Sequence, residues 1–158
     1  GVGAARSAMD VLNAKGIGNA IAEVVKRGNP VLGICIGCQI ILEESEEDGG
    51  VKTLGLLPGR AVRFLSEPGI KIPHMGWNQV HWTKEHELFK GIPSGSEFYY
   101  VHSYHPSVPS EYAFAETTYG TQTFQGVVGK RNLMAAQFHL EKSGEVGLQF
   151  LKNFCAWD

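Results

Sequence analysis

Cys35 stands at the centre of the segment Gly33-Ile34-Cys35-Ile36-Gly37, whose residue types could support nucleophilic chemistry. A nucleophile on a sharp turn between a strand and a helix needs small neighbours, and glycine is found on both sides of this cysteine. At such a turn the cysteine lies at a helix N-terminus, where the helix dipole and the free amides favour the thiolate. The segment therefore predicts a nucleophilic Cys35, with the amide of Ile36 placed where an oxyanion would develop.

Cys38 turns the same segment into a C-x-x-C sequence, which leaves two other interpretations open. Thioredoxin-like redox proteins also carry C-x-x-C where a strand meets a helix. A zinc site is the weaker interpretation, because the chain has no second cysteine pair and Cys155 lies far along the sequence. The redox interpretation does not account for the flanking glycines or for the histidine that follows at position 139.

His139 is the histidine best placed to serve as the base that a nucleophilic cysteine needs. It ends the predicted strand 134–139, and Glu141 comes two positions later. In an extended chain residues i and i+2 share a face, so Glu141 can hold one ring nitrogen of His139 while the other faces Cys35. The alternative is a surface histidine–glutamate pair at a strand end, which is common and weak.

The remaining histidines and the acidic run 43–48 carry less specific signals. His102 and His105 could be metal ligands, but no nearby carboxylate completes a tetrahedral zinc set, and their hydroxyl- and aromatic-rich surroundings favour the wall of a small-molecule pocket. We expect the other three histidines at the surface or in strands, and the acidic run at a solvated helix end.

Apolar periodicity predicts one α/β domain whose second half is rich in antiparallel strands. The strand 31–35 should be buried on both faces, as in a parallel sheet. The full set of expected elements is a helix over 8–27 with an interruption near Gly16, strand 31–35, a helix over 37–45, strands 60–65, 76–82, 98–102 and 112–118, a hairpin of 126–128 with 134–139, and a helix over 144–157.

Length and composition set the broad class of the protein. The chain has 158 residues, 43% of them hydrophobic, and a formal charge of −2, so nothing in its charge indicates nucleic acid or an anionic membrane as a partner. No apolar run approaches the roughly 20 residues needed to span a bilayer. With three cysteines and no readable signal peptide, we expect reduced thiols in a cytoplasmic protein.

Taken together, the motifs resemble those of class I glutamine amidotransferases. The nucleophile segment 33–39 and the segment Phe138-His139-Leu140-Glu141 are similar to the two catalytic motifs of that family. Further segments narrow the resemblance to the glutaminase subunits of imidazole glycerol phosphate synthases, in histidine biosynthesis. These segments are 1–4, 73–78, 99–104 and 141–144, and they cover the chain in the right order.

The resemblance implies either an active glutaminase, with the residue roles that follow, or an inactive remnant that keeps the fold and the partner face. Cys35 would attack the glutamine side chain to form a thioester, with His139 as base and then acid and Glu141 orienting it. The oxyanion would be held by amides of Ile36 and of the opening loop at Val2 or Gly3. The substrate's amino-acid end would be bound by Gly3, Gln39, Ser103 and Tyr104. A (β/α)8-barrel cyclase would receive the ammonia and contact Met75, Trp77, Asn78 and Lys142, and no cofactor is implied.

The resemblance also implies the fold and shows where this chain departs from the family. The fold would be the flavodoxin-like three-layer sandwich with a mixed sheet, of which the sequence lacks a first strand–helix–strand unit. Leu140 stands where the family usually has proline, which should loosen the His139–Glu141 turn. Cys38 stands where an apolar residue is usual, and a small buried thiol can replace one.

Overall fold

The computed structural model describes residues 3–158 of the chain. In chain order its helices and strands are α1 (Ala5–Ala14), α2 (Ile17–Lys26), β1 (Val31–Ile34), α3 (Ile36–Ile40), β2 (Glu44–Ser45), β3 (Val51–Lys52), β4 (Arg60–Arg63), β5 (His74–Trp82), β6 (Ser96–His102), β7 (Tyr104–Ser107), β8 (Ala113–Tyr119), β9 (Gln122–Lys130), β10 (Leu133–Ala136) and α4 (Gly144–Cys155).

The first helical region is divided in two at Gly16. This glycine adopts a left-handed conformation with φ 64°, which residues with a side chain rarely adopt, and so it separates α1 from α2. The interruption expected near this glycine is therefore a complete break. Ala5 and Met9 of α1 are buried against Ile40 and Val51, which fixes α1 beside the end of α3.

A mixed six-stranded sheet in the order β1-β10-β9-β8-β5-β6 forms the centre of the domain. β1 pairs in parallel with β10, in the register Val31 to Leu133, and the other four pairings are antiparallel. Within the described residues β1 is an edge strand of this sheet. The mixed sheet expected from the family resemblance is confirmed.

Side chains of β10 show why the fold has three layers. Met134 and Ala136 belong to the apolar core on one face of the sheet, which includes Phe150 of α4. Leu133 and Ala135 belong to the core on the other face, together with Cys38 of α3. Because successive residues of a strand point to opposite faces, β10 is buried on both sides, and the predicted α/β class is confirmed.

The prediction of a helix over 37–45 is wrong beyond Ile40, where the chain leaves the helix and enters a second sheet. The carbonyl groups of Ile40, Ile41 and Leu42 accept hydrogen bonds from the amides of residues 54–57 in place of further helical bonds. The chain then enters β2, in a four-stranded sheet of order β3-β2-β4-β7. Local apolar content favoured a helix, but this distant loop supplies better partners for the backbone.

The predicted hairpin near the end of the chain is present as β9 and β10, joined through Arg131 and Asn132. Its second strand ends at Ala136, three residues before the predicted end at His139. The amide of Gln137 then donates to the carbonyl of Gly126, and a 3-10 helix follows over Leu140–Lys142. The end of β10 therefore brings Gln137 and His139 to the same edge of the sheet as Cys35, which follows β1.

Candidate active site

Cys35 occupies a strained turn between β1 and α3. Its backbone has φ 52° and ψ −104°, a conformation that residues other than glycine rarely adopt, and its amide donates to the carbonyl of Ala136 at 2.9 Å. A Cβ atom on Gly33 would lie 2.8 Å from the backbone of Gly37, whereas a Cβ atom on Gly37 would meet nothing within 4 Å. The steric need for glycine that the sequence suggested at both positions therefore holds for Gly33 alone.

The thiol of Cys35 is almost fully buried, with 4% of the residue exposed. Burial raises the pKa of the Cys35 thiol, while hydrogen bonds from the amides of Ile36 and Gln137 oppose this rise. Its sulfur lies 3.8 Å from both the carbonyl of Val101 and the Nε2 atom of Gln137. Burial therefore has a larger effect on the thiol than the helix N-terminus, which was expected to favour the thiolate. This cysteine needs a base to take its proton.

His139 and Glu141 form the pair that could supply that base. His139 Nδ1 lies 2.6 Å from Glu141 Oε1, and the ring of His139 is buried. Among residues 3–158, Nε2 of His139 is a buried side-chain nitrogen that has no hydrogen-bond partner. Leaving a buried nitrogen without a hydrogen bond costs free energy of folding. Such a nitrogen is expected where a proton must be exchanged with a reacting group.

The backbone that brings these two side chains together differs from the predicted one. Glu141 lies in the 3-10 helix after His139, and the two do not belong to one strand, so the argument from alternate strand residues is wrong. Burial raises the pKa of Glu141, but the hydrogen bonds from His139 and from its own backbone amide, together with nearby positive charge, outweigh this effect, and the pKa is lowered overall. Glu141 therefore carries its charge beside the ring, with 54% of its side chain exposed to solvent.

Ser143 holds the backbone of His139 in place, a role that its sequence position did not indicate. The Ser143 hydroxyl donates to the carbonyl of His139 at 2.5 Å and accepts from the amide of Tyr99 at 2.9 Å. The amide of His139 donates to the carbonyl of Tyr99 at 2.8 Å. These three bonds attach the candidate base to β6.

A cavity of about 220 Å³ opens beside Cys35 and is lined by six of the nine residues expected to carry catalysis or bind substrate, whereas His139 and Glu141 do not line it. Its lining includes the nucleophile and five of the residues expected to bind substrate or oxyanion: Gly3, Ile36, Gln39, Ser103 and Tyr104. Four further residues complete the lining: Glu47, Pro73, Val101 and His102. Val2, the other expected oxyanion donor, lies outside the described residues.

Glu47 is a lining residue that the sequence analysis missed. Its carboxylate accepts a hydrogen bond from the amide of Ala5 at 2.6 Å, across 42 residues of sequence, and so fixes the start of α1. The acidic run was expected to be a solvated helix end, and this expectation is wrong for Glu47. Nothing in the sequence distinguishes it from the exposed Glu44 and Glu46, because its role depends on a contact with the distant α1.

Two buried histidines lie against the cavity wall. His102 lines the cavity, and its Nε2 atom lies 2.9 Å from Nδ1 of His74, opposite it in the β5–β6 pairing. Burial lowers the pKa of His74 to about 4 and that of His102 to about 3, so both rings are neutral near pH 7. His74 is a strand residue as expected, but it is not at the surface.

The residues expected to face a partner divide between two faces of β5. Met75 and Trp77 are 61% and 53% exposed, and the Trp77 ring lies edge-on to Tyr99 at 6.0 Å. The ammonium group of Lys142 lies 5.8 Å from the centre of the same Tyr99 ring. Asn78 lies on the opposite face of the strand, where its side chain donates to the carbonyl of Thr118.

Cys38 lies behind the nucleophile turn, in the core and away from the cavity lining. It is fully buried among apolar side chains, burial raises the pKa of its thiol, and all three cysteines are free. The described residues contain no group of three or more histidine, cysteine or acidic side chains arranged to hold a metal ion. In residues 3–158 no helix is long and apolar enough to cross a membrane.

Comparison with known proteins gives concordant matches along the chain. The family model "Glutamine amidotransferase class-I" matches residues 4–157. The subunit HisH of imidazole glycerol phosphate synthase from Synechococcus sp. (strain JA-3-3Ab) is 50% identical over 157 residues, covering 98% of this chain and 72% of its own length. The HisH subunit from Chromobacterium violaceum is 47% identical over 165 residues, covering 100% of this chain and 76% of its own length.

Solved structures show the same fold at lower sequence identity. A glutamine amidotransferase from Thermotoga maritima superposes with a TM-score of 0.62 at 17% identity, over 99% of this chain and 60% of that one. A GMP synthase component from Thermoplasma acidophilum gives a TM-score of 0.58 at 22% identity, over 88% of this chain and 62% of that one. This chain therefore spans less than two thirds of the length of these two neighbours.

Proposed function

The chain belongs to the class I glutamine amidotransferase family, among the HisH subunits of imidazole glycerol phosphate synthase, and we propose that it releases ammonia from glutamine for a cyclase partner. One observation carries this proposal. A cysteine on a nucleophile turn opens into the same cavity as Gly3, Ile36, Gln39, Ser103 and Tyr104. The family resemblance implies that each of these residues binds glutamine or its oxyanion.

The first half of the reaction forms a thioester. Nε2 of His139 takes the thiol proton of Cys35, and the sulfur attacks the side-chain carbonyl carbon of glutamine. The amide of Ile36, with Gly3 of the opening loop, holds the negative oxygen of the tetrahedral intermediate. His139 then gives its proton to the departing nitrogen, the carbon–nitrogen bond breaks, and ammonia leaves.

The second half of the reaction regenerates the free cysteine. His139 accepts a proton from a water molecule, whose oxygen attacks the thioester carbon. A second oxyanion forms at the same amides and collapses, releasing glutamate and returning the proton to the sulfur of Cys35. Glu141 keeps one tautomer of His139 throughout and stabilises its charged form, as in other triads.

Polar groups around the cavity suit the amino-acid end of glutamine. The Glu47 carboxylate can pair with the ammonium group, because charge-assisted bonds of this kind are the strongest polar contacts available to it. Ser103 and Tyr104 also line the cavity, and the side-chain amide of Gln39, another lining residue, donates to the carbonyl of Tyr104. The substrate's two charged groups would thus be held away from the amide that is cleaved.

We further propose that Met75, Trp77 and Lys142 meet a (β/α)8-barrel cyclase in the cytoplasm. Exposed aromatic and methionine side chains are enriched at protein interfaces, and Met75 and Trp77 are both exposed on one face of β5. Trp77 and Lys142 both lie against the ring of Tyr99. Asn78 lies on the opposite face of β5, and its expected contact with the partner stays a prediction. Three free cysteines agree with a reducing compartment.

The test of the proposed function is glutamate production from glutamine in the presence of the cyclase. We expect Cys35→Ala to lower the turnover number by about 10³-fold or more, because a triad loses most of its rate without its nucleophile. Cys38→Ala is the matched control, since it removes a thiol that lies outside the cavity, and its turnover number should match that of the parent. Turnover within tenfold of the parent in Cys35→Ala would show that another group performs the attack.

A further inference from the structure

Two buried glutamine amides connect a backbone carbonyl to the sulfur of Cys35. Nε2 of Gln39 donates to the carbonyl oxygen of Tyr104 at 2.9 Å and to Oε1 of Gln137 at 3.1 Å. Because a carbonyl oxygen can only accept, Gln39 must present its amino group there. The oxygen of Gln137 is thereby engaged, and its Nε2 atom is left facing the sulfur of Cys35 at 3.8 Å.

The carbonyl of Tyr104 also accepts the last hydrogen bond of a second series, which contains the two buried histidines. Nδ1 of His102 lies 2.8 Å from the Tyr104 oxygen and must carry a proton, so Nε2 of His102 accepts from Nδ1 of His74 at 2.9 Å. Nε2 of His74 is then the acceptor for Nδ2 of Asn78 at 3.2 Å.

Asn78 determines the direction of the hydrogen bonds at the other end of this series, independently of the Tyr104 carbonyl. Its Nδ2 atom donates to the carbonyl of Thr118 at 2.9 Å, and its Oδ1 atom accepts from the amide of Gln79 at 2.8 Å. The orientation of the Asn78 amide is therefore determined from both sides. Starting from either end, the same tautomer is obtained for each histidine.

We propose that these bonds from Asn78 to Gln137, here called the amide relay, orient Gln137 so that an N–H group faces the sulfur of Cys35. His74 and His102 are accordingly positioning residues, which act on the nucleophile by holding in place the Tyr104 carbonyl that orients Gln39. The inference rests on the proposed role of Cys35 as the nucleophile.

The chemical consequence follows from the polarity of a primary amide. An N–H group stabilises a developing thiolate, whereas the amide oxygen of a reversed Gln137 would repel it. The side chains concerned are at least 95% buried, so solvent cannot compensate for a reversed amide: Gln39, His74, His102 and Gln137. Because burial keeps both histidines neutral, the relay keeps its direction near pH 7.

The most direct test is the tautomer of each buried histidine, measured on the ¹⁵N-labelled full chain by two-bond ¹H–¹⁵N correlation at pH 7. We expect both His74 and His102 as the neutral form with the proton on Nδ1. Either ring with its proton on Nε2 would overturn the relay, because one bond of the series would then join two acceptors. This measurement needs no variant and no glutamine turnover.

A second test follows the effect on the nucleophile, using the pH midpoint of iodoacetamide alkylation of Cys35 in a Cys155→Ser background. That background removes the exposed thiol. Gln137→Glu replaces the donor by a carboxylate of the same shape. We expect the pH midpoint to rise and the alkylation rate at pH 7 to fall about tenfold. His102→Phe should slow it about threefold, and His105→Phe is the matched control at a neighbouring histidine outside the relay.

Titratable groups outside the relay act on the thiol or line its cavity, and they are the same in every variant: Glu141 with its partner His139, Cys38, Glu47 and Tyr104. An unchanged midpoint in both Gln137→Glu and His102→Phe would overturn the proposal. If His102→Phe does not fold, the histidine tautomers and Gln137→Glu decide. If both histidines of the parent chain carry the proton on Nδ1 but the chain forms no glutamate from glutamine with the cyclase present, the proposed function alone is contradicted.

Discussion

Gly33→Ala should damage the nucleophile turn, whereas Gly37→Ala should not. A Cβ atom at position 33 would lie 2.8 Å from the backbone of Gly37 and 3.1 Å from Cβ of Ala135, so one of the two backbones must shift by several tenths of an ångström. Overpacking of this kind costs about 1–3 kcal/mol of unfolding free energy. The segment that shifts carries Cys35, and a displacement of about 1 Å at a reacting group can cost about 10²-fold in rate.

Gly37→Ala is the matched control, because it adds the same atom four residues along the turn. Its Cβ atom would meet nothing within 4 Å, and alanine in a helix is more stable than glycine by about 0.5–1 kcal/mol. Urea unfolding and glutamine turnover of the two variants give the comparison. Equal stabilities and equal rates in the two variants would refute the steric account of the turn.

Four further perturbations test other parts of the structure. Glu141→Gln should lower glutamine turnover by about 10²–10⁴-fold with little change in thermal unfolding, since the base loses its orienting charge. Leu140→Pro should change the urea unfolding free energy by less than about 1 kcal/mol, because the loss of the buried Leu140 side chain offsets the stiffer backbone. Acidification from pH 6.5 to 4 should lower that free energy by up to about 1.4 kcal/mol per pH unit from each of His74 and His102, whose lowered pKa values make the unfolded chain bind the protons first; His74→Gln should remove one of these two contributions and leave the other. Trp77→Glu should weaken cyclase binding, measured by calorimetry, and leave the alkylation rate of Cys35 unchanged.

Elements defined by local signals could be predicted from the sequence. The apolar run at β1, bounded by proline and glycine, needs no distant partner to be recognised, and the periodicity of α4 is equally local. The turn residues between β9 and β10 indicated the hairpin. The nucleophile turn belongs to this group too, because its requirement for Gly33 lies within five consecutive residues.

Roles that depend on distant contacts could not be predicted. Gln39 and Gln137 are 98 positions apart and meet only because β1 pairs with β10. Ser143 contributes through a bond to Tyr99, 44 residues away. The early end of α3 has the same cause, since its last carbonyls bond to a loop that no local pattern links to it.

Trp77 has a consequence for how complex formation can be followed by fluorescence. Of the three tryptophans in the chain, Trp82 is stacked on Phe89 at 4.0 Å and Trp157 packs edge-on against His86, whereas the ring of Trp77 is half exposed on β5. With Trp82 and Trp157 replaced by phenylalanine, all indole emission would come from the exposed face of β5. A partner that covers this face would shift that emission to shorter wavelength, so binding could be titrated without a label and without turnover.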